Sequence, residues 1–228
     1  MKIIHQTAEY VVVCKAAGED SEHDLPGLLA EQNGDQATDY YVVHRLDQAV
    51  AGLLVLARNR VTAAELSRQL TENRLRKTYL CVVPGVPEPA SGEMQDLLYK
   101  DKLKKKMFPV KRKRAGVKEA SLHYHVLETQ ASLTLVEVEL KTGRFHQIRC
   151  QFAARKLPLV GDGKYGSRVR SPHLALFCRQ LSFYDAKENK ECSFTAATPA
   201  EFPWTAFSTA SGETERQSAV WRDSTGAH

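Results

Sequence analysis

Residues 40–58, YYVVHRLDQAVAGLLVLAR, put a charged cluster between two runs that read as buried strands. Tyr40 to Val43 and Leu53 to Ala57 are short, continuous and apolar, the pattern of strands covered on both faces. Between them stand His44-Arg45-Leu46-Asp47, then small residues and Gly52. The ordinary reading of such a cluster is a turn with a solvent-exposed ion pair. The apolar flanks oppose it here, because they hold the turn at the edge of the core, where a carboxylate needs a partner to stay charged. An arginine supplies one through charge-assisted hydrogen bonds.

The rest of the chain alternates strand and helix signals. Glu9 to Lys15 and Lys77 to Val83 read as strands, and residues 120–128 and 132–140 as a hairpin. In its second arm Thr134, Val136, Val138 and Leu140 alternate with Leu135, Glu137 and Glu139, the period of a half-buried strand. Two further short strands are expected near 174–178 and 192–196. Residues 16–39 are rich in Gly, Asp and Glu, with one short helix expected over Leu25 to Glu31. Residues 60–73 carry Ala63, Leu66 and Leu70 at helical spacing, and 145–156 reads as another helix. Strands outnumber helices and several are sequence neighbours, so the expected class is α+β around a largely antiparallel sheet. At 228 residues the chain can bury a substantial core. From Ser208 onward it is polar and aperiodic, so 208–228 is expected to be a disordered tail.

Composition narrows the setting. Five cysteines, odd in number and widely spread with no C-x-x-C spacing, argue for reduced, mostly buried thiols rather than a disulfide framework or zinc site. No apolar run reaches membrane-span length and the N-terminus lacks signal-peptide character, so a cytoplasmic location is expected. Lys plus Arg total 32 against 27 acidic residues, and the excess is unevenly placed. The run KDKLKKKMFPVKRKR at 100–114 repels itself unless a polyanion neutralises it; otherwise it is a solvated loop. Nucleic acid is the natural partner, with Lys104, Lys105, Lys106, Lys111, Arg112 and Lys113 on the phosphates.

Two more clusters carry chemistry. In KTGRFHQIRCQF (141–152), Gly143 permits a tight turn and Arg144, His146 and Arg149 crowd the expected first helical turn. They either bridge Glu137 or Glu139 or form an anion site, for a phosphate or for Asp47, because residues three apart share a helical face. In RLRKTYL (74–80), Lys77 and Tyr79 share one face of a strand, either as core packing or as a base-stacking platform.

Together these motifs resemble the RluA-type family of RNA pseudouridine synthases over about residues 9–207. HRLD at 44–47 with Gly52, KTYL at 77–80, TGRFHQIR at 142–149 and GDGKYG at 161–166 stand in the family's order and spacing. Val50-Ala51 replace the usual Thr-Ser pair, and Lys15-Ala16-Ala17-Gly18 lacks the usual proline. The small RNA-binding domain many relatives carry at the N-terminus is not expected, since strands begin almost at once. The resemblance implies a pseudouridine synthase fold over 1–207, with a mixed, largely antiparallel central sheet, flanking helices and a central RNA-binding cleft. It implies that Asp47 attacks the target uridine at the anomeric carbon or at carbon 6, and that Arg149 keeps Asp47 charged. Tyr79 stacks on the base and serves or supports the general base, and Arg45 fills the space left by the flipped uridine. His44, Leu46, Lys77, Arg144, His146, Gln147 and Ile148 are implied to bind substrate, with His44, Arg144 and His146 on the RNA backbone. An isomerisation without net redox change needs neither cofactor nor metal, and the expected state is a monomer acting on tRNA or rRNA. Lack of the accessory domain leans towards tRNA or a simple stem-loop. A catalytically inactive RNA-binding or RNA-chaperone protein of the same fold, and a hydrolase using an Asp–His pair, are the competing readings.

Overall fold

Hydrophobic patterning gathers the chain around one branched sheet. The computed structural model describes residues 1–211 and 215–218. In chain order the elements are β1 (Lys2–Gln6), β2 (Tyr10–Lys15), α1 (Leu25–Asn33), β3 (Tyr41–Val42), β4 (Ala51–Ala57), α2 (Arg60–Thr71), β5 (Arg76–Pro84) and β6 (Ser91–Asp101). They continue with β7 (Lys106–Val110), β8 (Val117–Gln130), β9 (Leu133–Leu140), α3 (Gln147–Ala154), β10 (Leu176–Asp185), β11 (Lys190–Thr195) and β12 (Glu215–Ser218). The sheet runs β1-β2-β4-β10-β5-β9-β8-β6-β7, with β3 beside β4, β11 beside β10 and β12 beside β11. Among the described residues every pairing is antiparallel except β4 with β10. The expected α+β class with a mixed, largely antiparallel sheet is what the chain forms.

Strand β4 is central because its run AGLLVLA is buried from Gly52 to Ala57. It pairs with β2 on one side and touches β10 on the other, at Phe177 opposite Ala51 and Cys178 opposite Gly52. Gly52 adopts φ +122, and a Cβ there would lie 2.4 Å from the Cys178 backbone nitrogen. Only glycine allows β10 this close. Helix α2 starts at the Asn59 cap, whose side chain accepts from Thr62 N–H at 2.8 Å, and lays Leu66 and Gln69 on the sheet. The Gln69 amide pairs with both backbone polar groups of Tyr184. No helix among the described residues is long and apolar enough to cross a membrane.

Three expectations need correction, and one strand was not foreseen. The basic run 100–114 is mostly a hairpin rather than a loop: residues 100–101 end β6, 106–110 form β7, and Met107 is buried with Leu98 and Tyr165 beside α3. Lysine density on the outward face hid the apolar alternation. Strand Lys2–Gln6 carries too mixed a pattern to be read alone and forms by pairing with β2. The Tyr40–Val43 run forms only the bridge at Tyr41–Val42. Order also continues past 207: Ser208 and Thr209 bond Glu128, Ala210 is fully buried, and Glu215–Ser218 pairs with β11. Composition did not register these anchors, which are distant in sequence; the rest of the expected tail lies outside the described residues. The cysteines are all free, and four of the five are buried.

Gly52→Ala tests the close approach of β4 and β10. An L-residue at this φ costs on the order of 1–3 kcal/mol, and displacing the Cys178 backbone adds to it. The thermal midpoint should fall by several degrees or more, at about 2–4 °C per kcal/mol for a chain of this size. An unchanged midpoint in calorimetry would rule out the tight junction.

Candidate active site

Asp47 sits in the turn that feeds β4, where Val50 N–H donates to its carbonyl at 2.8 Å. Two earlier segments fasten this turn. Lys15, buried at the end of β2, donates from Nζ to the carbonyls of Ala16, Glu19 and Gln48. Ser21 brackets Leu46, its hydroxyl donating to the Leu46 carbonyl and accepting from the Leu46 N–H. Neither residue was marked as part of the site by its type, since a lysine and a serine in polar surroundings usually face water.

Helix α3 arrives from the other side. It begins at Gln147 rather than near Phe145, because His146 takes a left-handed conformation at φ 48 that ends the preceding turn. Such a φ is uncommon outside glycine and is held here by contacts on every side of the ring. Phe145 stacks on His146 at 3.8 Å between centroids. His146 Nδ1 meets Tyr165 Oη at 3.1 Å, and Nε2 lies 3.6 Å from Asp47 Oδ2. Tyr165 Oη already accepts from Met107 N–H at 2.9 Å, so its own proton is free for His146 Nδ1. That arrangement puts the imidazole proton on Nε2, facing Asp47. Burial, aided by the charge of Arg149, pushes the His146 pKa down to about 3, so the ring is neutral. The expected role as a cation on the RNA backbone does not suit it.

Arg149 is the centre of the charge arrangement. Its Nε and Nη2 each donate to Asp162 at 2.8 Å, a bidentate pair. Its Nη1 lies 3.5 Å from Asp47 Oδ2, and its guanidinium covers the Tyr165 ring at 5.1 Å. The expected Arg149–Asp47 pair therefore exists, but as the longer half of a shared arrangement. Neither Glu137 nor Glu139 takes part. Burial works against the charge of Arg149, and the two carboxylates outweigh it to leave its pKa raised. For Asp47, burial raises the pKa and Arg149 pulls it back; burial wins, and the group remains above the ordinary carboxylate range.

Asp162 and Tyr165 are the site residues that the sequence reading missed. The signal was present in GDGKYG, whose aspartate and tyrosine were quoted as part of a motif but given no partner. Gly161 presents Asp162 from a positive φ of +78, where a Cβ would meet the His173 carbonyl oxygen at 2.4 Å.

These elements enclose a cavity of about 220 Å³. Arg45, Leu46, Asp47, Lys77, Tyr79, Arg144, His146, Gln147, Ile148 and Arg149 all line it, so ten residues chosen from the sequence meet around one space. Tyr79 is buried, which raises its phenol pKa well above the usual value and keeps it protonated. Arg45 is exposed and pairs with Glu22. Arg144 donates from Nε to the Glu119 carbonyl at 2.9 Å. Gln147 is committed to the local turn: it accepts from Thr142 and from Arg144 N–H, and donates to the Ser121 carbonyl.

His44 departs from expectation. It is buried rather than displayed to a phosphate backbone, and its Nε2 accepts from Val55 N–H on β4 at 3.3 Å. Burial drives its pKa far down, so it carries no charge for a phosphate. Of the basic run only Lys100 lines the cavity, with its ammonium over the Phe145 ring; Lys104, Lys105, Lys111 and Arg112 are exposed outside it. Lys113 pairs with Glu119, and Lys106 donates to the Lys164 carbonyl. Among the described residues no three His, Cys, Asp or Glu side chains converge as a metal site.

A family model described as RNA pseudouridylate synthase matches residues 8–154. An uncharacterised RNA pseudouridine synthase of Bacillus subtilis is 34% identical over 162 residues, covering 70% of this chain and 52% of that protein. The ribosomal large subunit pseudouridine synthase D of Borreliella burgdorferi is 33% identical over 164 residues, covering 71% and 49%. The chain thus spans about half the length of both bacterial relatives. The solved structure of human RNA pseudouridylate synthase domain containing 4 superposes with a TM-score of 0.72 at 25% identity, over 87% of this chain and 89% of that one.

The raised pKa of Asp47 has a measurable consequence. Above its folded pKa the buried charge weighs against the native state; below the unfolded carboxylate value, the aspartate is protonated in both states and the penalty vanishes. Asp47→Asn should therefore raise the thermal midpoint at pH 7, and the gain should disappear as the pH falls through the raised pKa towards the ordinary range. A midpoint that drops at pH 7 would show that the Arg149 contact outweighs burial.

Proposed function

The chain belongs to the RNA pseudouridylate synthase family, and from that premise we propose that it isomerises uridine in RNA to pseudouridine with Asp47 as nucleophile. The observation that carries the proposal is the Asp47 carboxylate, one-sixth exposed into the cavity and held between Arg149, neutral His146 and the wall that carries Tyr79. A carboxylate oriented by a guanidinium yet incompletely neutralised is suited to nucleophilic attack.

The target uridine must leave the RNA stack to reach a carboxylate that is largely buried. Arg45 stands at the rim to occupy the vacated space. Asp47 bonds to the anomeric carbon or to carbon 6, and the bond from the anomeric carbon to nitrogen 1 breaks. The uracil turns within the cavity and carbon 5 joins the anomeric carbon. In the anomeric route carbon 5 displaces the aspartate as it bonds, and in the carbon 6 route the aspartate leaves last; carbon 5 loses its proton and nitrogen 1 ends protonated, so atoms balance with no net oxidation. Because the Tyr79 phenol stays protonated, it supports proton transfer and stacks on the base rather than acting as a standing base. Arg144 and the β6–β7 hairpin hold the backbone, which positions the strand without reading it. The substrate in this proposal is tRNA or rRNA, met by a monomer in the cytoplasm.

Asp47→Asn should abolish pseudouridine formation while RNA binding weakens only slightly, because the amide is nearly isosteric but a very poor nucleophile. Chemical mapping of pseudouridines on cellular RNA incubated with wild-type and D47N protein checks this, and full turnover by D47N would refute the nucleophile. Tyr79→Phe should retain affinity and slow turnover by roughly a hundred- to ten-thousand-fold.

If the exposed hairpin cations neutralise phosphates, changing Lys104, Lys105 and Arg112 to Ala should flatten the slope of log affinity against log salt by roughly two to three units. Single-turnover chemistry on bound RNA should change little. Identical salt slopes would leave these side chains without phosphate contacts.

A further inference from the structure

A second cavity of about 360 Å³ lies beside the first. The two share a wall made by Arg45, Lys77, Leu140 and Gly143, so one ligand can enter both. Val42, Val43, Leu70 and Leu75 give the second cavity apolar surface. Its charged lining is mostly positive, with Arg45, Lys77 and Lys141 against Glu22, and Glu22 already pairs with Arg45.

Two polar groups at this cavity lack partners. His44 lines it and not the Asp47 cavity. With Nε2 accepting from Val55 and the ring neutral, the His44 proton sits on Nδ1. That buried N–H has no hydrogen-bond partner among the described residues, a destabilising state that an incoming acceptor would relieve. Lys77 stands on the shared wall with its ammonium in no hydrogen bond or ion pair among the described residues. Burial makes that unpaired charge unfavourable, which lowers its pKa. An unpaired cation between two cavities, with an apolar surface and an orphaned donor beyond it, matches a nucleotide chain: phosphate at the wall, base face on the aliphatic residues, base edge on the donor.

We propose that the second cavity takes the base of a nucleotide adjacent to the target uridine in the same RNA strand, with Lys77 on the phosphate that links them. This rests on the reading of the Asp47 cavity as the uridine site. The consequence is a readout of the neighbouring position: RNA must splay out two successive bases, and an RNA that releases only one binds less tightly.

Calorimetric titration of the full chain with three ligands tests the proposal: the dinucleotide UpU and its two analogues in which one or the other base is replaced by hydrogen. UpU should bind about tenfold or more tightly than either analogue, the range expected for one stacked base. Leu70→Trp and Val43→Phe, which fill only the second cavity, should erase that advantage and leave the better analogue's affinity unchanged. In the wild type, UpU should also shift the Nδ1 proton resonance of His44, which a merely structural histidine would not show. Equal affinity for UpU and the better analogue, with Tyr79→Ala weakening both, overturns the second subsite alone. Binding that Tyr79→Ala leaves untouched, or no measurable binding of any of the three ligands, overturns the uridine reading and this proposal together.

Discussion

The Arg149 guanidinium, buried between two carboxylates, is the interaction on which the rest of the site depends. Asp162 takes two short hydrogen bonds from it, and Asp47 stands 3.5 Å away as the second ion-pair partner. A buried cation needs full compensation, whereas a reactive carboxylate must not be fully neutralised. Dividing the arginine unequally meets both needs. Asp162 satisfies the charge, and Asp47 is oriented while burial still holds its pKa up. Removing one carboxylate would alter the other through the shared cation, so the three groups act as a unit.

That unit organises its surroundings. Arg149 reaches it because α3 is buried over Gln147 to Phe152, and Asp162 because Gly161 permits a turn under the His173 carbonyl. Tyr165 lies beneath the guanidinium, bonds His146, and accepts from Met107 in the basic hairpin. The arm proposed to hold the RNA backbone is therefore tied by two hydrogen bonds to the ring that faces Asp47. From the other side, Gly52 lets β10 approach β4, and Lys15 and Ser21 hold the loop that ends there. The nucleophile proposed here sits at the end of a chain segment fixed along its whole length, which supports preorganisation for attack.

Local pattern carried the sequence reading a long way. Continuous apolar runs marked β4 and β5, the Ala63, Leu66 and Leu70 spacing marked α2, and alternation marked β9. The HRLD cluster between apolar runs pointed to Asp47 because a carboxylate entering a core needs a reason. Pattern failed where charge or distance masked it. In the basic run the lysines hid Met107, which is buried against Leu98 of the preceding strand. His44, in the same cluster as Asp47, was assigned to the RNA backbone because its neighbours were, yet its ring is neutral and its Nε2 accepts from the β4 backbone.

The residue types and their order by themselves determined the class of sheet, the acid at its entrance, and the basic and aromatic groups that surround it. Each follows from a periodicity or a composition that spans only a few neighbours. Which partner each charge takes was decided by the tertiary structure alone. Asp162 over Asp47 as the principal partner of Arg149, the neutral state of His146, and the unpaired Lys77 between two cavities all depend on burial. Burial is a property of the packed elements together, because desolvation is set by every atom that surrounds a group and not by those beside it in the chain.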